Sequence, residues 1–152
     1  MVDVSQKPVT TRVAVAEAFV TAQNATIERV RTGTTKKGDV LAVARLAGIM
    51  GAKRTADLIP LCHPLPLESV EIRFEFPDAR QLRIIAETHV AAKTGVEMEA
   101  LTAASVAALT VYDMVKAIDR AVEIGPIRLI EKRGGKSGTW KREPSAGPNA
   151  DR

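Results

Sequence analysis

The chain has 152 residues, of which 45% are hydrophobic, 26% charged and 3% aromatic, and its formal net charge at pH 7 is +4. This length and balance predict one globular domain with an aliphatic core, and they exclude a chain that is disordered throughout. The small positive excess favours a phosphate-bearing small molecule as ligand over a long nucleic acid, for which stacking aromatic residues are also scarce.

The first half of the chain predicts one strand followed by helices. Apolar and polar residues alternate over residues 11–21, which is typical of a half-buried strand, and Asn24 is placed to cap the short helix that follows. Asp39 suits the start of a helix that runs to about residue 50. A second helical piece over residues 52–58 stops at a proline, because proline cannot continue a helix.

The second half predicts a hairpin, a long helix and a last strand. Alternation over residues 70–76 predicts a strand, and after a turn a second strand over about residues 82–92 completes an antiparallel hairpin. An alanine-rich stretch over about residues 101–121 predicts a long helix, and residues 127–131 predict a final strand. The order βααββαβ predicts an α+β fold of the ferredoxin-like kind, an antiparallel β-sheet with helices packed on one face.

The composition changes near the end of the chain. Residues 142–152 include Pro144, Gly147 and Pro148, and they predict a disordered C-terminal tail. We therefore expect a single catalytic domain over residues 1–141.

The cysteine count and the pattern of apolar residues indicate the compartment. Cys62 is the only cysteine, which excludes an intramolecular disulfide and a zinc site built from several cysteines. The first residues do not have the pattern of a signal peptide, and no apolar run reaches the roughly 18 residues that a membrane span requires. We expect a cytoplasmic protein that contacts no membrane.

Asp113 and Lys116 are the first candidates for catalysis. They are three residues apart in the predicted long helix, so their side chains lie on one face. The apolar stretch over residues 103–117 predicts that the pair is partly buried, and such burial tunes a carboxyl and an amine toward neutral pH for acid–base work. A surface ion pair is the alternative interpretation.

The segment over residues 133–138 is rich in glycine and basic residues. It contains Gly135-Lys136-Ser137, like the end of a P-loop, but position 130 is Ile130 where that motif requires glycine. The chain also leaves no room for the helix that completes a P-loop, which excludes a P-loop ATPase. Backbone amides and Lys136 could still bind phosphates, and a mobile basic tail is the alternative.

Further basic and nucleophilic residues fall in predicted loops and turns. Lys37 stands in a glycine-flanked loop before a predicted helix, a position from which loops present catalytic groups, whereas Lys53 is equally well explained as solvated charge. Cys62 and His63 lie in a turn stiffened by prolines. Adjacent side chains rarely point at each other, which disfavours a Cys62 thiol nucleophile with His63 as its base. His63 is better explained as a substrate contact or a polar anchor.

Glu97 and Glu99 precede the predicted long helix. As carboxylates at a helix start, they interact favourably with the helix dipole. They could instead accept hydrogen bonds from a guanine-like N–H edge, or hold Mg²⁺ together with phosphates. The residues alone leave these alternatives open.

Several unusual motifs follow one another along the chain, up to about Trp140. They are Met1-Val2-Asp3-Val4-Ser5, Lys37-Gly38-Asp39-Val40, Ala52-Lys53-Arg54-Thr55, Asp57-Leu58-Ile59-Pro60-Leu61-Cys62-His63-Pro64, Lys93-Thr94-Gly95-Val96-Glu97-Met98-Glu99-Ala100-Leu101, Tyr112-Asp113-Met114-Val115-Lys116-Ala117 and Gly134-Gly135-Lys136-Ser137-Gly138. With these motifs the chain strongly resembles the cyclic pyranopterin monophosphate synthase family, protein C of molybdenum-cofactor biosynthesis.

The resemblance implies a reaction, an assembly and a set of partners. The reaction is a lyase step that converts (8S)-3′,8-cyclo-7,8-dihydroguanosine 5′-triphosphate to cyclic pyranopterin monophosphate and releases pyrophosphate. The assembly is a homohexamer, a trimer of dimers, with sites at a subunit interface. The implied partner is this small molecule and no nucleic acid. No cofactor or bound metal is required, although Mg²⁺ is compatible with the triphosphate.

The resemblance also implies roles for particular residues. The catalytic aspartate of the family matches Asp113, and the lysines that accompany it match Lys37 and Lys116. Substrate contacts match Leu61, Cys62 and His63 and, near the long helix, Glu97, Met98 and Glu99. The basic positions that we assign to phosphate binding match Arg12, Lys53, Lys132 and Lys136. Such groups suit general acid–base catalysis of ring rearrangement and stabilisation of a leaving pyrophosphate.

Two other classes of function compete with this interpretation. A nucleotide-binding module without turnover is consistent with the basic loops and the small size of the chain. A nucleic-acid-binding protein rests on the sequence pI of about 9.5 alone, and it predicts a salt-sensitive affinity.

Overall fold

A computed structural model describes residues 1–144 of the chain. Its helices and strands are β1 (Thr10–Thr21), α1 (Asn24–Thr32), α2 (Val40–Lys53), α3 (Thr55–Leu58), β2 (Ser69–Asp78), β3 (Gln81–Ala92), α4 (Glu97–Val115), β4 (Glu123–Arg133) and β5 (Trp140–Lys141). The strands form one antiparallel sheet in the order β2-β3-β1-β4-β5. The order of the first four is that of a ferredoxin-like fold, so the predicted α+β class is confirmed.

The central strand β1 presents small side chains to the helices. It pairs with β3 along its whole length and with β4 on its other edge. Side chains alternate along a strand, and Ala14, Ala16 and Ala18 are fully buried in the hydrophobic core that β1 shares with α4. Because these side chains are small, α4 lies close to the sheet.

The helix α4 packs against α2 on its other side. A Cβ atom at Gly48 would meet the Ile72 side chain and the carbonyl oxygen of Ala103, and one at Gly51 would meet the Val106 side chain. Glycine at both positions therefore permits the close contact between the two helices. The position of α4 is set from both faces.

Within residues 1–144, α4 is the one helix that is long and apolar enough to cross a membrane. Half of that stretch, 50%, is buried inside the protein. Its buried face consists largely of alanines that pack on the sheet, including Ala100, Ala103, Ala104 and Ala107. This arrangement is that of a core helix.

The bounds of α4 differ from those predicted. The helix begins at Glu97 rather than near residue 101, and it ends at Val115 rather than near residue 121. Glu97 and Glu99 thus lie in its first turn, where the helix dipole favours carboxylates. The alanine-rich composition continues past Val115 although the helix does not, which explains the error at that end.

The start of α1 is capped from a distant part of the chain. The prediction that Asn24 caps this helix is wrong, since the cap position is Gln23 and its side chain makes no capping hydrogen bond. Instead, the Asp119 carboxylate accepts hydrogen bonds from the Gln23 backbone N–H at 2.9 Å and from the Thr26 hydroxyl at 3.2 Å. Asp119 follows α4 and is 3% exposed.

Two short elements also depart from the prediction. The helix α2 continues to Lys53, so the predicted second helix is reduced to the single turn of α3. The strand β5 extends the sheet, and beyond it Arg142 donates its backbone N–H to the Ile130 carbonyl oxygen at 2.9 Å. The remainder of the predicted tail, residues 145–152, lies outside the described residues.

Candidate functional site

Three charged side chains meet at the C-terminal end of α4. Lys116 Nζ lies 2.7 Å from Asp113 Oδ1, as the spacing of three residues predicts for one helix face. Lys37, from the loop before α2, donates to Asp113 Oδ2 at 3.2 Å and to the Asp113 carbonyl oxygen at 3.0 Å. The structure therefore brings together the three residues that the resemblance marks as catalytic. We call them the Asp–Lys cluster.

The Asp–Lys cluster is exposed, contrary to the predicted burial. The side chains of Asp113, Lys116 and Lys37 are 57%, 51% and 47% exposed. Hydrogen bonds from Lys116 and then from Lys37 lower the pKa of Asp113, and the hydrogen bond with Asp113 raises the pKa of Lys116. Both values move away from neutral pH. The apolar residues around the pair face the sheet and α2, whereas Asp113 points outward.

A cavity of about 390 Å³ lies at the opposite, N-terminal end of α4. One wall comes from the turn after α3, whose residues are held by the hydrogen bond from the Cys62 N–H to the Ile59 carbonyl at 3.1 Å. The other wall comes from the first turn of α4. The predicted substrate contacts that line this cavity are Leu61, Cys62, His63, Glu97, Met98 and Glu99.

Glu99 is the most buried carboxyl group of this cavity. It is 4% exposed, and burial, with the charge of Glu97 as a weaker contribution, raises the pKa of Glu99. Burial and the nearby Glu99 also raise the pKa of the Cys62 thiol. A nucleophilic cysteine needs the opposite shift, so the chemistry here favours hydrogen bonding over thiol attack.

A second cavity, of about 740 Å³, is basic. It is lined by Lys7, Pro8, Thr10, Arg12, Lys132, Gly135, Lys136 and Ser137. The Thr10 hydroxyl and Arg12 Nε are buried and have no hydrogen-bond partner within residues 1–144. Buried polar groups are normally paired, so these two atoms leave hydrogen-bonding capacity unused beside the basic cavity.

The glycine-rich turn after β4 is built around Arg12. Gly134 and Gly135 have φ values of +95° and +76°, which favour glycine. A Cβ atom at Gly134 would meet the Thr11 carbonyl oxygen, and one at Gly135 would meet the Arg12 guanidinium group. The two glycines therefore let the turn close over Arg12 and present Lys136 beside it.

The two cavities adjoin each other. Lys7 lines both of them, and between them Lys132 Nζ lies 3.1 Å from Glu97 Oε1. A small cleft between them shares Gly95 and Glu97 with the first cavity and Arg12 and Lys132 with the second. We call the whole the binding trough. Its first end carries hydrogen-bonding groups suited to a heterocycle, and its second end carries cations suited to phosphates.

Four of the predicted site residues lie outside the lining of the binding trough, namely Lys53 and the three residues of the Asp–Lys cluster. Lys53, at the end of α2, borders a neighbouring recess, which shares Leu65 with the carboxyl-lined cavity. The Asp–Lys cluster lies at the other end of α4, and the 14 residues from Glu99 to Asp113 place it on the order of 20 Å away at the helical rise of 1.5 Å per residue. In one chain the Asp–Lys cluster and the trough do not meet.

Sequence reasoning missed Lys7 and Thr10 as lining residues. Lys7 precedes β1 without regular structure, and Thr10 begins that strand. For Lys7, the positive charge was the one sequence feature that could have indicated a ligand contact. For Thr10, no feature of the neighbouring sequence sets its hydroxyl apart from that of another threonine. Their place in the trough depends on β4, more than 120 residues later in the chain.

Known proteins match this chain over nearly its full length. A model of the MoaC family matches residues 1–135. A Thermomicrobium roseum protein named cyclic pyranopterin monophosphate synthase is 60% identical over 144 residues, which are 94% of this chain and 87% of that protein. A Brevibacillus brevis protein of the same name is 57% identical and covers 93% of this chain and 89% of its own length.

A third relative shows the same similarity. The Mycobacterium tuberculosis protein named cyclic pyranopterin monophosphate synthase 1 is 55% identical over 145 residues, which are 95% of this chain and 85% of that protein. Each of these three matches covers more than nine-tenths of this chain. The chain belongs to the MoaC family.

Proposed function

We propose that this protein is a cyclic pyranopterin monophosphate synthase of molybdenum-cofactor biosynthesis. It acts as a lyase on (8S)-3′,8-cyclo-7,8-dihydroguanosine 5′-triphosphate and releases pyrophosphate. The observation that carries this proposal is the binding trough, which joins a carboxyl-lined cavity to a basic one. The names of relatives at 55–60% identity support it.

The carboxyl-lined end suits the purine-derived part of the substrate. Glu97 and Glu99 offer acceptors for the N–H groups of a guanine-like edge, and His63 offers a third polar contact. Because burial raises the pKa of Glu99, this group is matched to hold or transfer a proton nearer neutral pH than an exposed glutamate. Met98 and Leu61 supply apolar contact to the ring system.

The basic end suits the triphosphate. Arg12, Lys132 and Lys136 line it together with Lys7, and such cations stabilise the charge that develops on a departing pyrophosphate. Thr10 and Arg12 also line this end, and each leaves one polar atom without a hydrogen-bond partner there. No cofactor is required for this chemistry, and any Mg²⁺ accompanies the triphosphate.

The Asp–Lys cluster completes the site from a second chain. Within one chain, α4 separates the cluster from the trough, so the cluster of one protomer faces the trough of its partner. Exposed apolar side chains on the outer surface of α2 and α4 support such an interface, namely Val43, Leu46, Met50 and Leu109. The proposed assembly is a homohexamer, a trimer of dimers.

Contact with a second chain would also change the pKa values of the cluster. In the exposed ion pair, the pKa of Asp113 is lowered and that of Lys116 is raised. Removal of water by a partner and a bound substrate favours the neutral form of each group, which moves both pKa values toward neutral pH. Asp113, Lys116 and Lys37 then exchange protons with the substrate as general acids and bases.

An assay with the cyclised nucleotide tests the proposal. We expect purified protein to convert it to cyclic pyranopterin monophosphate and one equivalent of pyrophosphate. Binding of the nucleotide without either product would identify a nucleotide-binding module instead. Salt-sensitive binding of RNA or DNA without nucleotide turnover would favour a nucleic-acid-binding protein. The proposed location of the enzyme is the cytoplasm.

A further inference from the structure

The residues before β1 form one wall of the binding trough. Val2 and Val4 line the carboxyl-lined cavity opposite the turn after α3, and Lys7 lines both cavities. We call residues 1–9 the N-terminal segment. It has no regular secondary structure, although Lys7 N–H donates to the Val4 carbonyl at 3.0 Å and Ser5 N–H donates to Asp3 Oδ1 at 2.8 Å.

A single side chain ties this segment to the body of the protein. Lys93 lies between the end of β3 and the start of α4, and its Nζ donates to the Ser5 carbonyl oxygen at 2.9 Å across 88 residues of sequence. This is the one hydrogen bond between the N-terminal segment and the rest of residues 1–144. The contact requires the Lys93 amine but not the Ser5 side chain.

We propose that Lys93 is a positioning residue that holds the N-terminal segment as a wall of the binding trough. The inference rests on the proposed function and assigns a role to a motif residue outside the trough lining. The tie fixes Lys7 at the junction of the two cavities and Val2 and Val4 along the ring-binding end. Without it, substrate binding must order the segment, and the cost of that ordering weakens binding.

The expected kinetic effect follows from where the wall lies. In the proposed site the wall contacts the ligand throughout the reaction and contributes no residue to the Asp–Lys cluster. Loss of such a contact weakens the binding of the substrate and of the transition state about equally. This raises KM and leaves kcat unchanged. A direct role of Lys93 in catalysis would lower kcat instead.

Three variants and one control separate these cases. Lys93→Met keeps the aliphatic stem and removes the donor, Lys93→Arg keeps a donor, and Ser5→Ala keeps the accepting carbonyl. Lys141→Met removes an exposed lysine elsewhere, because Lys141 is 68% exposed on the last strand. Amide hydrogen exchange over residues 1–9 is measured without ligand, and KM and kcat are measured with the cyclised nucleotide.

In Lys93→Met we expect exchange of the Lys7 amide, which is hydrogen-bonded to the Val4 carbonyl, to rise about tenfold and KM to rise about tenfold, with kcat within about twofold of the unaltered protein. Lys93→Arg restores both quantities, and Ser5→Ala and Lys141→Met change neither. Unchanged exchange in Lys93→Met, or a loss of kcat at constant KM, overturns the proposal. If the unaltered protein makes no product, the synthase proposal fails while the exchange measurement still tests the tie.

Discussion

The Arg12 guanidinium group lies directly against Gly135, in the space that a Cβ atom at that position would occupy. Gly138, three residues later, has a similar backbone conformation, with φ values of +76° and +67° at the two glycines, but nothing lies within 4 Å of a Cβ placed there. The two glycines thus differ in their neighbours and not in their backbone.

The pair makes a matched test of the phosphate site. We expect Gly135→Ala to displace Arg12 and raise KM for the cyclised nucleotide roughly tenfold or more, since a charged hydrogen bond to phosphate is lost. Gly138→Ala carries a similar backbone cost, about 1 kcal/mol, and leaves KM unchanged. Steady-state kinetics and thermal unfolding of both variants measure this, and equal KM values would contradict the placement of phosphate at Arg12.

Removal of the Asp–Lys cluster should abolish turnover without harming the fold. Asp113→Asn and Lys116→Ala remove a proton-transfer group, and we expect turnover to fall roughly 10²-fold or more. All three cluster side chains are about half exposed, so thermal unfolding should stay close to that of the unaltered protein. Lys36→Ala is the control, because Lys36 is exposed and lies outside the cluster. Full activity of both cluster variants would refute the assignment.

Mixtures of inactive variants test whether the site is shared between chains. Asp113→Asn damages the cluster and Arg12→Met damages the trough, so each variant alone should be inactive. Random mixed dimers retain one intact site, which restores about a quarter of the activity after co-refolding at equal amounts. Chains mixed without refolding are the control. No recovery in refolded mixtures would contradict a site built by two protomers.

Glu99 should make stability depend on pH. Its pKa is raised by burial, so between the ordinary glutamate pKa of about 4.3 and the raised value the folded chain binds more protons than the unfolded chain. Stability therefore falls as the pH rises through this window, and ionised Glu99 remains costly above it. Glu99→Gln should raise the Tm near neutral pH but change it little at about pH 4.

Thermal unfolding across this pH range measures the effect of Glu99→Gln. Glu68→Gln is the control, since Glu68 is exposed. Parallel Tm curves for Glu99→Gln and the unaltered protein would show that Glu99 ionises as freely in the folded chain as in the unfolded one.

The distant cap of α1 should carry measurable stability. Asp119→Ala leaves the Gln23 N–H and the buried Thr26 hydroxyl without their acceptor, and we expect a loss of about 1–3 kcal/mol in the free energy of unfolding. Asp119→Asn retains an acceptor oxygen and should lose less. Urea unfolding provides the measurement, and an unchanged midpoint for Asp119→Ala would rule out this cap.

The local patterns predicted most of the sheet and the order of its strands. Residues 70–76 alternate strictly, and together with the turn that follows they indicate the β2–β3 hairpin. Asp39 caps α2 as predicted by accepting from the Ala42 N–H at 3.0 Å. Such features depend on neighbours in sequence. The cap of α1 by Asp119 and the short strand β5 depend on contacts across the fold, which no local pattern records.

In the candidate site too, some features were predictable from neighbours in sequence and others depend on contacts across the fold. The spacing of Asp113 and Lys116 predicts their ion pair, because three residues make almost one helical turn. Their exposure was not predictable from the apolar residues around them, since helix composition does not reveal which face meets the sheet. The resemblance marked Lys37, but its approach to Asp113 joins residues 76 apart in the chain. The wall formed by Val2, Val4 and Lys7 likewise required the folded chain.

The contact between β1 and α4 is built from alanines on both sides. It therefore tolerates smaller side chains better than larger ones. Little volume can be deleted from a methyl group, whereas any larger side chain at Ala16 or Ala104 would push α4 away from the sheet. Because the helix carries the trough at one end and the Asp–Lys cluster at the other, a single added methylene there would disturb two distant places at once. At this contact, a larger side chain is more damaging than a smaller one.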